Sequence, residues 1–201
     1  MNQYSALATF QGRILDDFCG SSGNAGDVED FIRTVYAQRF SAMLDSFLPN
    51  LVATRNDSGS VTAAAGYQCA AAGSLFLENY LEQPIETVIR VRYGETVDRR
   101  RIVEVGNLAT YGNKAAITLI ASLIPYLLSW GFTWVAFTGN DAVRNLFKRL
   151  HLLPFAICPA NKAALGEARH AWGSYYEHHP IVMAGRLNDG ASAITVPTRA
   201  R

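Results

Sequence analysis

The chain reads as a mixed α/β fold: a mixed β-sheet flanked by helices, with a parallel pair of strands at its centre. Three observations between Arg100 and Leu152 carry that reading. Two apolar, β-rich runs stand about thirty residues apart, Arg101-Ile102-Val103-Glu104-Val105-Gly106-Asn107-Leu108-Ala109 and Phe132-Thr133-Trp134-Val135-Ala136-Phe137. A long apolar-periodic segment, Lys114 to Trp130, lies between them. A helix-like segment reaching Leu152 follows Thr138-Gly139-Asn140-Asp141. Strand, turn, helix, strand, helix is a βαβα unit. Parallel strands need a long crossover, and the middle helix supplies one.

The elements follow in order. A short strand is expected at Leu7 to Phe10, then a loop, Gly20-Ser21-Ser22-Gly23-Asn24-Ala25-Gly26. A helix starts at Asp27 or Glu29 and runs to Leu44, with Phe31, Val35, Phe40 and Met43 facing inward. Leu51 to Arg55 and Val61 to Ala70 form two adjacent antiparallel strands around the turn Asp57-Ser58-Gly59-Ser60. Leu75 to Tyr80 and Pro84 to Val91 read as short helices around a Pro-containing loop, and Tyr93-Gly94-Glu95 turns into the central strand.

Ile102 to Val105 is β-branched apart from Glu104, as in a strand buried on both faces. A carboxylate there is costly unless it is paired or used. In Lys114 to Trp130, Leu119, Leu123, Leu127 and Trp130 form one stripe, and Ile117, Ile120, Ile124 and Leu128 form its neighbour. That helix is apolar on most faces and should be well covered, with a kink or split at Pro125. Asp141 is placed to cap the next helix, whose inner face is Val143, Phe147 and Leu150. Pro154 to Cys158 is a short strand, Asn161 to His170 a helix and Ile181 to Gly185 a last strand. One domain over residues 1–187 and a polar, frayed tail over 188–201 complete the reading.

Composition narrows the function. The 201 residues are 49% hydrophobic and 17% charged, with a net charge of +1, which gives no electrostatic case for a nucleic-acid partner. Most positive charge is arginine. Arg90, Arg92, Arg99, Arg100 and Arg101 form the main basic patch, either a solvated strand edge or a docking surface for an acidic partner. Cys19, Cys69 and Cys158 are sparse and odd in number, with no C-x-x-C; that fits a reducing compartment and leaves no metal site. No signal pattern or membrane-length apolar run is seen, so a soluble, cytoplasmic protein without a membrane partner is expected.

The segment Asn140-Asp141-Ala142-Val143-Arg144-Asn145-Leu146-Phe147-Lys148-Arg149-Leu150, after the strand–turn–helix–strand order, resembles a signature of the GNAT acyltransferase superfamily. Ile102 to Ala109, Trp134 to Thr138, Val143-Arg144-Asn145, Trp172-Gly173-Ser174-Tyr175-Tyr176 and Leu75 to Leu81 together resemble the thermostable hemolysin family. That family is GNAT-like and related to the autoinducer synthases. The match covers about residues 5–187.

The resemblance implies two central parallel strands that splay apart to bind an acyl-phosphopantetheine thioester. Donor and co-substrate are an acyl carrier protein or coenzyme A, and no cofactor is tightly bound. The acceptor is an amine of a small molecule, a homodimer being one open state of assembly. The first strand holds the thioester carbonyl with backbone N–H groups at Leu108 and Ala109. The strand-to-helix turn, Gly112-Asn113-Lys114, receives phosphate. It lacks the superfamily's Arg or Gln, which favours a carrier protein, with one phosphate, over coenzyme A.

Glu104 is the first candidate base, or else it pairs with an Arg in the sheet. Asn107 orients substrate or satisfies a strand bulge. The superfamily's acidic Tyr is replaced by Phe147, leaving Tyr111, Tyr175, Tyr176 or His151 as substitutes. Asn140 and Asn145 are candidates for the pantetheine amides; otherwise Asn140 caps a helix and Asn145 meets solvent. Trp172, Tyr175 and Tyr176 line the acceptor pocket or form a core turn. The alternative functions are a membrane-active lytic protein, as the family label suggests, and a non-catalytic binding module.

Overall fold

The structure, a computed structural model, describes residues 8–10, 13–19 and 26–195. Eight strands form one sheet: β1 (Ala8–Phe10), β2 (Arg13–Cys19), β3 (Asn50–Arg55), β4 (Val61–Cys69), β5 (Ile102–Thr110), β6 (Trp134–Gly139), β7 (Phe155–Pro159) and β8 (Ile181–Arg186). Their spatial order is β1-β2-β3-β4-β5-β6-β8-β7. Among the described residues only β5 and β6 pair in parallel; every other neighbouring pair is antiparallel. Five α-helices accompany them: α1 (Gly26–Phe40), α2 (Ile85–Tyr93), α3 (Asn113–Ser129), α4 (Asp141–Arg149) and α5 (Leu187–Thr195). This is the mixed sheet flanked by helices that the sequence predicts. The loop expected at residues 20–26 lies outside the described residues except for Gly26, which opens α1.

The alternation of strand side chains sorts the core into layers. Val52, Ala63, Ala65, Tyr67 and Val103 face α3, whose Leu119, Leu123, Tyr126 and Leu127 are buried against them. Leu51, Ala53, Ala64 and Ala109 face α1, meeting Val28, Ile32, Val35, Tyr36 and Phe40. Ile102, Trp134, Ala136, Val182 and Ala184 face α2 and the turn before it, meeting Ile85, Ile89, Leu75 and Leu77.

Several expectations are corrected. Helix α1 ends at Phe40, because Ser41 turns left-handed (φ 50°); Met43 is 80% exposed, and Ile32 and Tyr36 take inward places instead. Helix α3 runs unbroken through Pro125, since burial of most of its faces outweighs one missing N–H bond. Its C-cap residue Trp130 is 49% exposed. Asn140, not Asp141, caps α4: its side chain accepts from the Val143 N–H at 3.2 Å. Leu146 is the most buried residue of α4. Residues 162–172 form a 3-10 segment broken at Gly166 rather than a regular helix. The stretch read as a polar tail begins as α5, which packs on α3 and buries Leu187.

One local feature shapes the centre of the sheet. The β4–β5 register shifts between Ala64 and Gly66, so Asn107 and Leu108 stand opposite one residue of β4. Asn107 occupies the left-handed region (φ 51°), which asparagine tolerates better than most residues. Leu48 lies over the bulge, its N–H donating to Asn107 Oδ1 at 2.9 Å. Gly66 leaves room for this: a Cβ there would lie 2.8 Å from Leu48 Cβ and 2.9 Å from Asn107 Oδ1. Gly66→Ala should therefore cost about 1–3 kcal/mol, lowering Tm by roughly 2–4 °C for each kcal/mol in a chain of this length. Thermal melting checks this, and an unchanged Tm would contradict the packing described.

Candidate active site

Beyond the bulge the two central strands part. Strands β5 and β6 pair from Ile102–Trp134 to Val105–Phe137 and no further. Thr138 and Gly139 continue to pair with β8 on the other side, while Ala109 and Thr110 pair with β4. Gly106, Asn107 and Leu108 thus have no strand partner on the β6 side. The gap opens into a cavity of about 720 Å³, within the range of small-molecule sites.

The cavity has four regions. Val105, Gly106, Asn107 and Leu108 of β5 and Phe137 and Thr138 of β6 line the fork. Leu119, Ile120, Leu123, Leu146 and Leu187 make one wall almost wholly apolar. On the other side stand Glu104, Phe76, Tyr80, Trp172, Tyr175 and Tyr176, with Tyr36 and Phe40 of α1. At the strand-to-helix turn the wall is Arg39, Thr110, Gly112 and Asn113.

Glu104 is 3% exposed. Among the described residues no Arg pairs with it, so the alternative reading of an ion pair in the sheet is corrected. Its Oε2 accepts from the Phe76 N–H at 2.7 Å and its Oε1 from the Leu77 N–H at 3.0 Å. Those N–H groups open the 3-10 turn Phe76–Tyr80 and have no partner within it. Burial pushes the carboxyl up to about 7, against the two N–H bonds that favour its charged form. The folded state thus holds this proton to higher pH than the unfolded chain does. The group's contribution to stability is full below the ordinary carboxylate pKa and is lost as pH rises to about 7.

The same turn is held from outside. Glu78 accepts from the Leu75 and Ile85 N–H groups at 2.9 and 3.0 Å and from Arg99 Nη1 at 2.7 Å. Burial would raise the Glu78 carboxyl, but Arg99 and these N–H groups hold it below its ordinary value. Arg99 also binds Glu86 and the carbonyls of Ala70 and Gly73. Arg99 is therefore a structural hub, not part of a docking patch, and Arg100 pairs with Asp98 at 2.6 Å. Arg90, Arg92 and Arg101 remain exposed.

The aromatic wall is strapped to α1. The Ser174 N–H donates to the Phe40 carbonyl at 2.8 Å, and the Met43 N–H to the Ala171 carbonyl at 2.7 Å. Tyr175 is buried against Tyr36 and Phe40, and Trp172 stands beside them. The Tyr176 and Tyr80 hydroxyls share a short hydrogen bond. Burial pushes the Tyr176 hydroxyl up to about 12.

Other expected residues separate. Leu108, Gly112, Asn113, Asn140 and His151 reach the cavity wall; Ala109, Lys114 and Asn145 do not. Ala109 is buried against α1, and Lys114 and Asn145 are exposed. Tyr111 is corrected as a candidate acid: it stacks edge-on against Phe31 outside the cavity, its hydroxyl 3.3 Å from Gln38 Oε1. His151 holds a left-handed position (φ 56°) just past α4, where glycine is usual. Cys158 is partly buried, off the cavity, with its thiol toward the Tyr80 carbonyl. The sequence reading missed Arg39, Phe76, Tyr80 and Thr138. Arg39 donates to the Thr110 carbonyl at 2.5 Å, and Thr138 Oγ1 is buried with no hydrogen-bond partner among the described residues.

A mixed sheet whose central parallel pair forks over a cavity defines the class: this is the fold of the GNAT acyltransferases. Three solved structures share it. TofI in its apo form matches with TM-score 0.63 at 10% identity, over 90% of this chain and 95% of that one. The AHL synthase LasI matches with TM-score 0.61 at 13% identity, over 94% of this chain and 100% of that one. FeeM, an N-acyl amino acid synthase from uncultured soil microbes, matches with TM-score 0.61 at 14% identity, over 92% and 95%. A sequence search of curated proteins returns no match. The model of the thermostable hemolysin family matches residues 20–191, and the chain belongs to that family.

If Asn107 holds the bulge, two substitutions should separate its roles. Asn107→Ala removes the acceptor for the Leu48 N–H and places an alanine at positive φ, at an expected cost of about 2–3 kcal/mol. Asn107→Gly loses the acceptor but not the conformation, so it should cost roughly 1 kcal/mol less. Denaturant unfolding measures both, and equal costs would contradict a strained bulge.

Proposed function

We propose that this protein is an N-acyltransferase that moves an acyl group from a phosphopantetheine thioester to the amine of a small molecule. The fork between β5 and β6 carries the reading. Its unpaired edge at Gly106–Leu108 offers backbone groups to a thioester arm, as the N–H groups of an oxyanion hole do. From Glu104 to the α3 N-terminus at Gly112 the strand and turn span roughly 20 Å or more, the scale of an extended phosphopantetheine. Arg39 and the turn Gly112–Asn113 would take its phosphate, so the basic residue missing from the turn comes from α1 instead. Thr138 Oγ1, buried and unpartnered on the wall, would gain a hydrogen bond from the arm. The apolar wall of α3, α4 and α5 would hold the acyl chain.

In this reading the substrate ammonium gives one proton to Glu104, the freed amine attacks the thioester carbonyl, and the second proton the nitrogen loses is taken up by the thiolate once it has left. The thiolate leaves unaided, since an alkyl thiol ionises near a pH of about 8.5 in water. Tyr176 stays protonated and is not the acid of the reaction. A carrier protein is the favoured donor, its acidic surface docking on the exposed Arg90, Arg92 and Arg101. The family's name suggests a second reading, membrane lysis. Among the described residues no helix is long and apolar enough to cross a membrane, and a vesicle-leakage assay tests that reading separately.

Incubation with acyl-carrier and acyl-coenzyme A thioesters plus a panel of amines, read by intact mass, tests the proposal. Donor deacylation coupled to N-acyl product supports it; no product with any donor contradicts it. Glu104→Gln should lower kcat/KM by about 10²-fold or more with the fold intact. The wild-type kcat/KM should fall about tenfold per pH unit below 7, because the base is then protonated, and level off above it. A flat profile in the wild type, or an unchanged limb in the variant, removes Glu104 from the chemistry. Charge reversal at Arg92 (Arg92→Glu) should raise KM for a carrier-borne donor several-fold and leave a coenzyme A donor unaffected; equal effects would contradict the docking surface.

A further inference from the structure

Four of the aromatic side chains on the cavity wall close a circuit. Phe76 touches Tyr80 at 6.0 Å between ring centroids, Tyr80 touches Tyr176 at 6.5 Å, Tyr176 touches Trp172 at 6.0 Å, and Trp172 touches Phe76 at 5.5 Å. All four are partly exposed, and all four line the same cavity. The Glu104 carboxylate sits at the foot of the circuit, bonded to the N–H of Phe76 itself.

That carboxylate has no cationic partner among the described residues. Its two oxygens are met by backbone N–H groups alone. The arginines nearby are engaged elsewhere; His178 also lines the cavity, beside Phe40. Arg39 donates to Thr110, Arg99 to Glu78 and Glu86, and Arg144 to the carbonyls of Gly139 and His179 and to Asp141. A buried anion beside aromatic rings, whose faces carry partial negative charge, makes a basin of negative potential. A cation is the ligand that such a basin stabilises, and aromatic rings around a carboxylate suit an alkylammonium group.

We infer that the ring of Phe76, Tyr80, Trp172 and Tyr176 with Glu104 at its foot binds an organic cation, so that the acceptor is an amine with net positive charge rather than an amino acid. The inference rests on the reading of this wall as the acceptor side of an acyltransferase. An amino acid would bring a carboxylate toward Glu104 with no arginine or lysine free in the ring to receive it. An amine without that carboxylate enters as its ammonium form, sits among the rings, and gives its proton to Glu104.

Choline and 3,3-dimethylbutan-1-ol test the site without any acyl donor, being alike in shape and differing in charge. Titration of the intact protein, followed by calorimetry and Trp fluorescence, should show choline binding at least ~10-fold more tightly, the difference expected of a desolvated cation among rings. Phe76→Leu, checked for native circular dichroism, should remove most of that difference, and Glu104→Gln should do the same. In turnover, phenethylamine should exceed phenylalanine by at least ~10-fold in kcat/KM, the factor a desolvated charge is worth at such a site. Equal binding of choline and the alcohol, or binding of neither, overturns the cation site even if amines are acylated. Choline selectivity without any acyl transfer would support the cation site and count against the transferase reading alone.

Discussion

The left-handed backbone at Asn107 shifts the pairing of β5 with β4, and on its other side β5 stops pairing with β6 two residues earlier. A sheet normally spends its backbone hydrogen bonds on itself, because unpaired buried groups are costly. Here the chain leaves strand edges open at its centre. The opening is supported on one side by Leu48 over Gly66 and Gly106, and on the other by the continued pairing of β6 with β8. The cavity, its apolar wall and its aromatic wall are all consequences of that divergence.

The electrostatics of the site follow from how the turn before α2 is fastened. A carboxylate within a buried strand is affordable because Glu104 takes the two N–H groups that the turn Phe76–Tyr80 presents. Glu78 and Arg99 hold the same turn from its solvent side. The turn therefore has two carboxylates with different tasks. Glu78, paired with arginine, stays charged and structural; Glu104, buried without a cation, titrates near neutrality. Environments that push two acids apart in this way are a mark of catalytic sites.

Much of this was legible in the sequence, for reasons that are local. The β-branched run Ile102 to Val105, the apolar periodicity of α3 and the hairpin at residues 56–60 each carry their own pattern. Strand β2 did not show itself, because Asp16-Asp17 interrupts the apolar spacing of Arg13–Cys19. Helix α5 was hidden by Asn188-Asp189-Gly190, which reads as loop; its packing comes from Leu187, Ala191 and Ala193 on α3. Glu104 stood out as an anomalous charge, yet its partners lie 28 and 27 residues away and are backbone groups, which no side-chain pattern announces. Arg39 and Tyr80 reach the cavity from α1 and from the turn before α2, so only the assembled fold brings them to β5.

The fork as the seat of a thioester arm is the claim on which the rest stands. A crystal structure of the protein with a non-hydrolysable thioether analogue of an acyl-phosphopantetheine tests it most directly. The account requires the arm to lie between β5 and β6, alongside Gly106–Leu108, with its phosphate at Gly112–Asn113 and its acyl chain against α3. An analogue bound elsewhere, or β5 and β6 closed together beyond Val105 and Phe137, would contradict it.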